Sequence, residues 1–383
     1  MRATGVNCTR RGLLGTALLG PFASVGFDGV RAATARQPDA LGRYSPRARR
    51  IVGDALVIDM LAPTRIDLER TVWTKPLTPT ERADFASCGI TAMHNSIGVG
   101  GPFAKQDALV FIAGSQGFVG RNADVFSLIG TVADLERAKV EHRVGVIMGL
   151  QNCDQFEDVS DVALFHGLGL RCAQLTYNEQ NRLGAGCTER VDGGVTDYGA
   201  AIIAEMNRVG MLVDVSHCGD RTTLDGIAAS AKPIAVTHAN CRAVSNHPRA
   251  KTDEAIVALA RKGGVIGISG VRNFVSDHEP TTLGNIVDHI EHVRALVGVE
   301  HVGIGSDSDL YGYDALPPDQ YAKLKAAYKS AYGFRDKIDI EGFDHPRKVY
   351  DLTDEMLRRG WSDGNVALVL GGNFRRLLAS VWS

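Results

Sequence analysis

Residues 211–217 read MLVDVSH, residues 233–238 read PIAVTH, and residues 301–307 read HVGIGSD. Each is a short apolar run closing on a group able to hold a metal or move a proton: His217, His238 and Asp307. Short, largely apolar runs of this kind suit strands buried on both faces of a parallel sheet. In a parallel barrel the C-terminal ends of all strands open onto one face, so imidazoles and a carboxylate at successive ends share one mouth. The three stretches therefore predict both an architecture and the place to look for chemistry.

Working outward, five more β-like runs complete a set of eight: 55–60, 89–95, 144–151, 170–177, 211–217, 233–238, 264–269 and 302–307. Between them lie helix-like stretches such as YGAAIIAEMNRV (198–209) and TDEAIVALARK (252–262), the latter opening on a Thr-Asp-Glu start signal. Eight strands alternating with helices predict a closed (β/α)8 TIM barrel over residues 45–383. A doubly wound open sheet is the competitor, but no glycine-rich phosphate fingerprint follows the first run. After the eighth run, residues 310–344 form a polar, tyrosine-rich stretch too long for a simple connection, read as a lid or dimer contact. Two helices, 349–359 and 365–370, follow it.

With 383 residues, 44% of them apolar, the chain can bury a barrel-sized core. Lys and Arg number 42 against 44 Asp and Glu, which gives no electrostatic reason to expect a nucleic acid or a membrane surface as partner. A small-molecule substrate fits better. Residues 1–35 read as an export signal: Arg10-Arg11 precedes a mildly apolar run, and Ala33-Thr34-Ala35 offers a cleavage site. That run is shorter than the roughly 20 residues a spanning helix needs, so periplasmic export, with no membrane span in the mature chain, is the expectation. Of the seven cysteines, the six from Cys88 onward show no C-x-x-C pair and read as core filler.

Neutral imidazole is a good zinc ligand, and two histidines on adjacent strand ends point at one spot. Asp307 is the first choice for the base or a further ligand; Asp309, farther past the strand, ranks below it. His94 ends the second run without an assigned role, while His289 and His292 in DHIEHV have helix-face spacing and are expected to be solvated.

Beyond these residues, GVTDYGAAIIAEMNRVGMLVDVSH (194–217), THANCRAVSNHPRAKTDEAIVALARKGGVIGI (237–268), HVGIGSDSD (301–309) and LGGNFRRLL (370–378) resemble the renal or membrane dipeptidases, the M19 zinc peptidases. The resemblance implies a barrel whose two zinc ions activate a hydroxide against the peptide bond of a dipeptide, and it implies a homodimer. Carried onto this sequence, it makes His217 and His238 the histidines of one zinc, Asp307 the aspartate of the last strand, and Arg249 the holder of a substrate carboxylate. Elsewhere the chain departs from the pattern. A His-x-Asp pair belongs after the first strand, yet Ile58-Asp59 is followed by Met60-Leu61-Ala62-Pro63, and neither Leu61 nor Pro63 can ligate a metal. The bridging glutamate is replaced by Gln151, and the histidine that polarises the scissile carbonyl by Tyr177. An amide lacks the charge that holds two cations together. These departures predict one zinc, held by His217 and His238 with Gln151 or Asp307, and a substrate contact from Tyr177. The alternative is a barrel that binds ligand, or runs metal-free acid/base chemistry, without hydrolysis.

Overall fold

Nine short parallel strands carry the architecture of the computed structural model, which describes residues 41–66, 72–328 and 332–382. They are β1 Ile58–Asp59, β2 Ala92–Ile97, β3 Phe126–Ile129, β4 Val144–Leu150, β5 Cys172–Gln174, β6 Leu212–Asp214, β7 Ala235–Ala239, β8 Val265–Ile268 and β9 Val302–Ile304. Pairing runs β2-β1-β9-β8-β7-β6-β5-β4, and β2 also pairs with β4, which closes a ring of eight. All eight expected runs are ring strands. The ninth, β3, is an addition: it pairs with β4 through Phe126↔Val144 to Ile129↔Ile147, while β5 joins β4 higher up at Gly149↔Cys172. Val144 N–H donates to Val125 and Met148 C=O accepts from Arg171, so β3 and β5 share one edge of β4. The expected export signal, 1–35, lies outside the described residues; one compact unit spans Ala40–Ser383.

The barrel floor is apolar. Ile58, Ala92, Ile147, Cys172, Leu212, Ala235 and Val265, one from each of seven ring strands, cluster with Phe374, Leu377 and Leu378 of the C-terminal helix Asn373–Val381. Two residues up the same faces the layer turns polar: His94, Gln174, Asp214 and Thr237, all buried. Gly149 stands in this layer because a Cβ there would lie 1.7 Å from His94 Nε2. The crossover helices pack an apolar stripe outside the ring, as the periodicity predicts: Ile202, Ile203 and Met206 in Asp197–Val209, and Ile256 and Leu259 in Asp253–Arg261. All six described cysteines are unpaired, and five are buried. No helix among the described residues is long and apolar enough to cross a membrane.

One expectation is corrected here. His289 is fully buried, not solvated, because its neighbours use both ring nitrogens: Nδ1 accepts from Cys241 N–H at 3.1 Å and Nε2 donates to the Val275 carbonyl at 2.9 Å. Only a neutral ring can accept at Nδ1. Burial pushes this imidazole down to about 4, from an ordinary value near 6.5. The unfolded chain therefore binds a proton that the folded chain refuses. The stabilisation is complete above pH ~6.5 and is lost as pH falls toward ~4, the total loss amounting to about 3 kcal/mol. Urea unfolding across that window is expected to show falling stability, with a shallower fall in His289→Gln. An identical slope in the variant would reject His289 as the source.

Candidate active site

The strands stop sooner than their apolar runs do. β6 ends at Asp214, whose Oδ1 accepts from the Ser216 N–H two residues on at 2.9 Å, and β9 ends at Ile304. His217 and Asp307 thus sit in the turns just above the ring. His238 lies within β7, where pairing with β8 shifts register between Val236 and Ala239, an irregularity of the kind that re-aims a side chain.

Those turns bring His217 and His238 together, with Nε2 atoms 2.9 Å apart. Their outer nitrogens are both engaged. His217 Nδ1 lies 2.7 Å from Asn178 Oδ1, an acceptor, and His238 Nδ1 lies 2.8 Å from Thr237 Oγ1, whose own hydrogen goes to Asp214 Oδ2 at 2.6 Å. Both imidazoles therefore donate from Nδ1 and turn an Nε2 lone pair inward. Two such lone pairs repel unless a cation lies between them. A proton is disfavoured, since burial, then the Arg249 charge, holds both rings well below the usual histidine range.

Tyr177 stacks on His217 with ring centroids 4.2 Å apart, and its hydroxyl lies 2.9 Å from that of Tyr328. Burial, reinforced by Tyr328 and Tyr332, pushes this phenol well up, so it stays neutral. Gln151, just past β4, directs Nε2 to the Ser96 carbonyl at 3.3 Å and borders the same cavity as His217, Tyr177 and Asp307. Asp307 holds φ +61, sparsely populated for a residue with a side chain, and its N–H donates to the Leu61 carbonyl at 2.8 Å. Burial pushes its carboxyl up to about 7; Arg249 and Lys348 pull it down and Asp59 adds to the rise. Asp309 instead pins loops, accepting from the N–H groups of Ile66, Tyr311 and Gly312.

Arg249 is not on the cavity wall. It is fully buried, and its two terminal nitrogens donate to the main-chain carbonyls of Ser216 and His238, the latter at 2.9 Å. It clamps the backbone beside both imidazoles, whereas the resemblance placed it on a substrate carboxylate. His94 faces the barrel axis: Nδ1 lies 2.7 Å from the Met60 carbonyl and Nε2 has no partner.

Two imidazole nitrogens fit one borderline-soft divalent cation such as zinc. They do not fit two. Leu61 and Pro63 offer no donor, Gln151 offers no charge, and among the described residues no cluster of three His, Cys, Asp or Glu side chains gathers, so Asp307 stands outside the imidazole pair.

A cavity of about 330 Å³ opens over these groups. Its roof comes from the segment after β9: Tyr332 and Ile338 pack with Val271 and Phe274, joined by Tyr313, Tyr328 and Phe334.

Comparison with known proteins places this arrangement. The profile of the membrane dipeptidases, peptidase family M19, matches residues 71–323. Dipeptidase verJ of Clonostachys rogersoniana is 31% identical over 265 residues, 68% of this chain and 61% of that protein. Dipeptidase aclJ of Aspergillus oryzae is 30% identical over 244 residues, 62% of this chain and 52% of that one, so the chain spans only part of these relatives' length. An amidohydrolase from Pseudomonas aeruginosa superposes with a TM-score of 0.75 at 30% identity, covering 88% of this chain and 99% of its own. A Rhodobacter sphaeroides metallopeptidase bound to a phosphinate mimic of the dipeptide L-Ala-D-Ala shares the fold, with a TM-score of 0.65 at 19% identity over 86% of this chain and all of its own. The chain belongs to the membrane dipeptidase family, a family of metal-dependent hydrolases built on the (β/α)8 barrel.

Sequence reasoning missed the groups that aim the imidazoles, Asn178 and the Asp214–Thr237 pair. Their signal was present: polar residues directly beside candidate site residues at strand ends, in LTYN, VDVSH and AVTH. It also missed Lys348, legible only as a lysine inside the buried stripe of the helix Lys348–Arg358.

Proposed function

We propose that this chain hydrolyses an amide bond in a small, peptide-like substrate, using one zinc ion held by His217 and His238. The observation that carries this reading is the pair of inward-facing Nε2 atoms at 2.9 Å. Bound there, a zinc ion would lower the pKa of a water and polarise a carbonyl. Gln151 borders the same space and has an amide oxygen to add as a third ligand. The chain's own residues do the rest. Asp307, with a carboxyl near 7, exchanges a proton at neutral pH and serves as the base. Tyr177, a neutral phenol, donates a hydrogen bond to the substrate oxygen on release from Tyr328. Arg249 holds the two strand ends so that the imidazoles keep their aim.

A barrel that binds without cleaving is the second reading, favoured by Leu61, Pro63 and Gln151 where the family pattern has ligands. The test is elemental analysis of protein purified from its exported form, with cleavage of L,L- and L,D-dipeptides before and after chelation. The expected result is one zinc per chain and cleavage that chelation removes and zinc restores. Zinc-loaded protein that cleaves none of the panel would favour the second reading, and cleavage unaffected by chelation would reject the metal. Export through the twin-arginine route is part of the proposal, supported by Arg10-Arg11, and is checked by cell fractionation of an Arg10→Lys/Arg11→Lys variant, which is expected to stay in the cytoplasm.

A further inference from the structure

Two cavities meet at the barrel mouth. The inner one, about 330 Å³, and an outer one, about 930 Å³, share Gly98, Tyr177, Leu324, Tyr328 and Tyr332 as a common wall. The Tyr177–Tyr328 hydroxyl contact of 2.9 Å spans that wall. The chambers differ in chemistry. The outer is lined by Asn152, Asp154, Glu179, Gln180 and Lys323, groups that suit a charged or hydrated ligand end.

The inner chamber carries an apolar patch, Leu61, Pro63, Ile97, Trp73 and Phe111, with Trp73 edge-on to Phe111 at 6.0 Å, beside the polar Thr64, Asn95, Ser96 and Gln151. Arg65 is its sole lysine or arginine among the described residues, and that guanidinium is committed, bonded to Glu81 through two nitrogens at 2.7 Å and to the carbonyls of Lys75 and Pro76. Arg249, which could pair with an anion, is buried behind the wall. Asp307 is the chamber's one carboxylate among the described residues. An acidic side chain entering against Trp73 and Phe111 would lose its water and find no free lysine or arginine on that side, which costs more than any contact there returns. An apolar one loses little and gains contact with an apolar, partly aromatic patch. Size agrees, since a closed cavity of roughly 150 Å³ already admits benzene.

Resting on the hydrolytic reading above, we propose that Leu61, Pro63, Ile97, Trp73 and Phe111 form the specificity subsite for one uncharged aromatic or branched-aliphatic side chain of the substrate, whose charged end stays in the outer chamber. Leu61 and Pro63, useless as ligands, are the floor of this subsite.

The test separates binding from cleavage. Ketomethylene isosteres of Xaa-Gly and Gly-Xaa, which have no amide bond to cut, are titrated calorimetrically into the protein as purified, with Phe, Leu, Gly, Glu or Lys at Xaa. In one series Phe and Leu are expected to bind at least about tenfold tighter than Gly, with Glu and Lys no tighter than Gly. Trp73→Ala is expected to cut the Phe-over-Gly ratio roughly fivefold or more, and Ile97→Ser to do the same should the first variant fail a thermal-melt check. Val110→Ala, on the exposed outer surface, is the control. Glu or Lys binding as tightly as Phe in both series, or a Phe preference that survives both variants, overturns the subsite. Isosteres that bind with this preference while the parent dipeptides go uncleaved would sink the hydrolytic reading and leave the subsite standing. Cleavage of dipeptides without side-chain preference would do the reverse.

Discussion

Replacing His238 by alanine is expected to empty the proposed metal position and to reduce dipeptide cleavage by more than the roughly 10- to 100-fold that losing a supporting hydrogen bond costs. The imidazole removed is one of two donors whose Nε2 atoms face each other at 2.9 Å, and a single remaining histidine does not retain a divalent cation. Thr237→Val separates ligand from support. It leaves both imidazoles but takes away the acceptor that fixes His238 Nδ1 at 2.8 Å and its link to Asp214. Zinc affinity is then expected to fall roughly 10- to 100-fold, with cleavage restored by added zinc, whereas His238→Ala stays inactive at any zinc concentration. Zinc per chain and initial rates, with circular dichroism to verify folding, decide the matter. Full zinc content and an undiminished rate in His238→Ala would place the chemistry elsewhere.

Lys348→Ala is expected to cost about 3–5 kcal/mol of stability, a fall in melting temperature on the order of 10 °C. The Lys348 ammonium is fully buried and donates to the Asp309 carbonyl at 2.8 Å and to the hydroxyls of Ser306 and Ser308, both at 3.0 Å. It is also the cation that offsets Asp59, whose carboxyl burial pushes up and whose Oδ2 has no partner. Truncation leaves a buried carboxyl uncompensated and several acceptors orphaned, the case in which removing one partner costs most. The same loop carries Asp307, so the cleavage rate should fall as well. A melting temperature within about 2 °C of the parent would show that Lys348 bears none of this load.

Much of the barrel is legible in the chain because its signals are local. The ring strands lie in short apolar-rich runs that turn polar only toward their C-terminal ends, the pattern of strands buried on both faces below a polar mouth. β3 escaped because Phe126–Ile129 is only partly buried, with Leu128 exposed, and because it occupies an edge of β4 that only the folded ring makes available. His289 was misread for a related reason. Its helical spacing marks a face, but which face is covered depends on Cys241 and Val275, which are 48 and 14 residues away in the chain.

The amino-acid order alone determined the eight ring strands, the two histidines and the aspartate at the mouth, and the loss of donors at Leu61, Pro63 and Gln151, because those are matters of residue type and short-range period. Tertiary structure decided the rest. It turned the Nε2 atoms toward each other through Asn178 and Thr237, drew Arg249 behind the wall onto two carbonyls, pushed up the Asp307 carboxyl by burial, and enclosed a chamber with an apolar patch beside the imidazoles. Orientation, desolvation and enclosure arise only when groups far apart in the chain are packed against one another, and no local pattern encodes them.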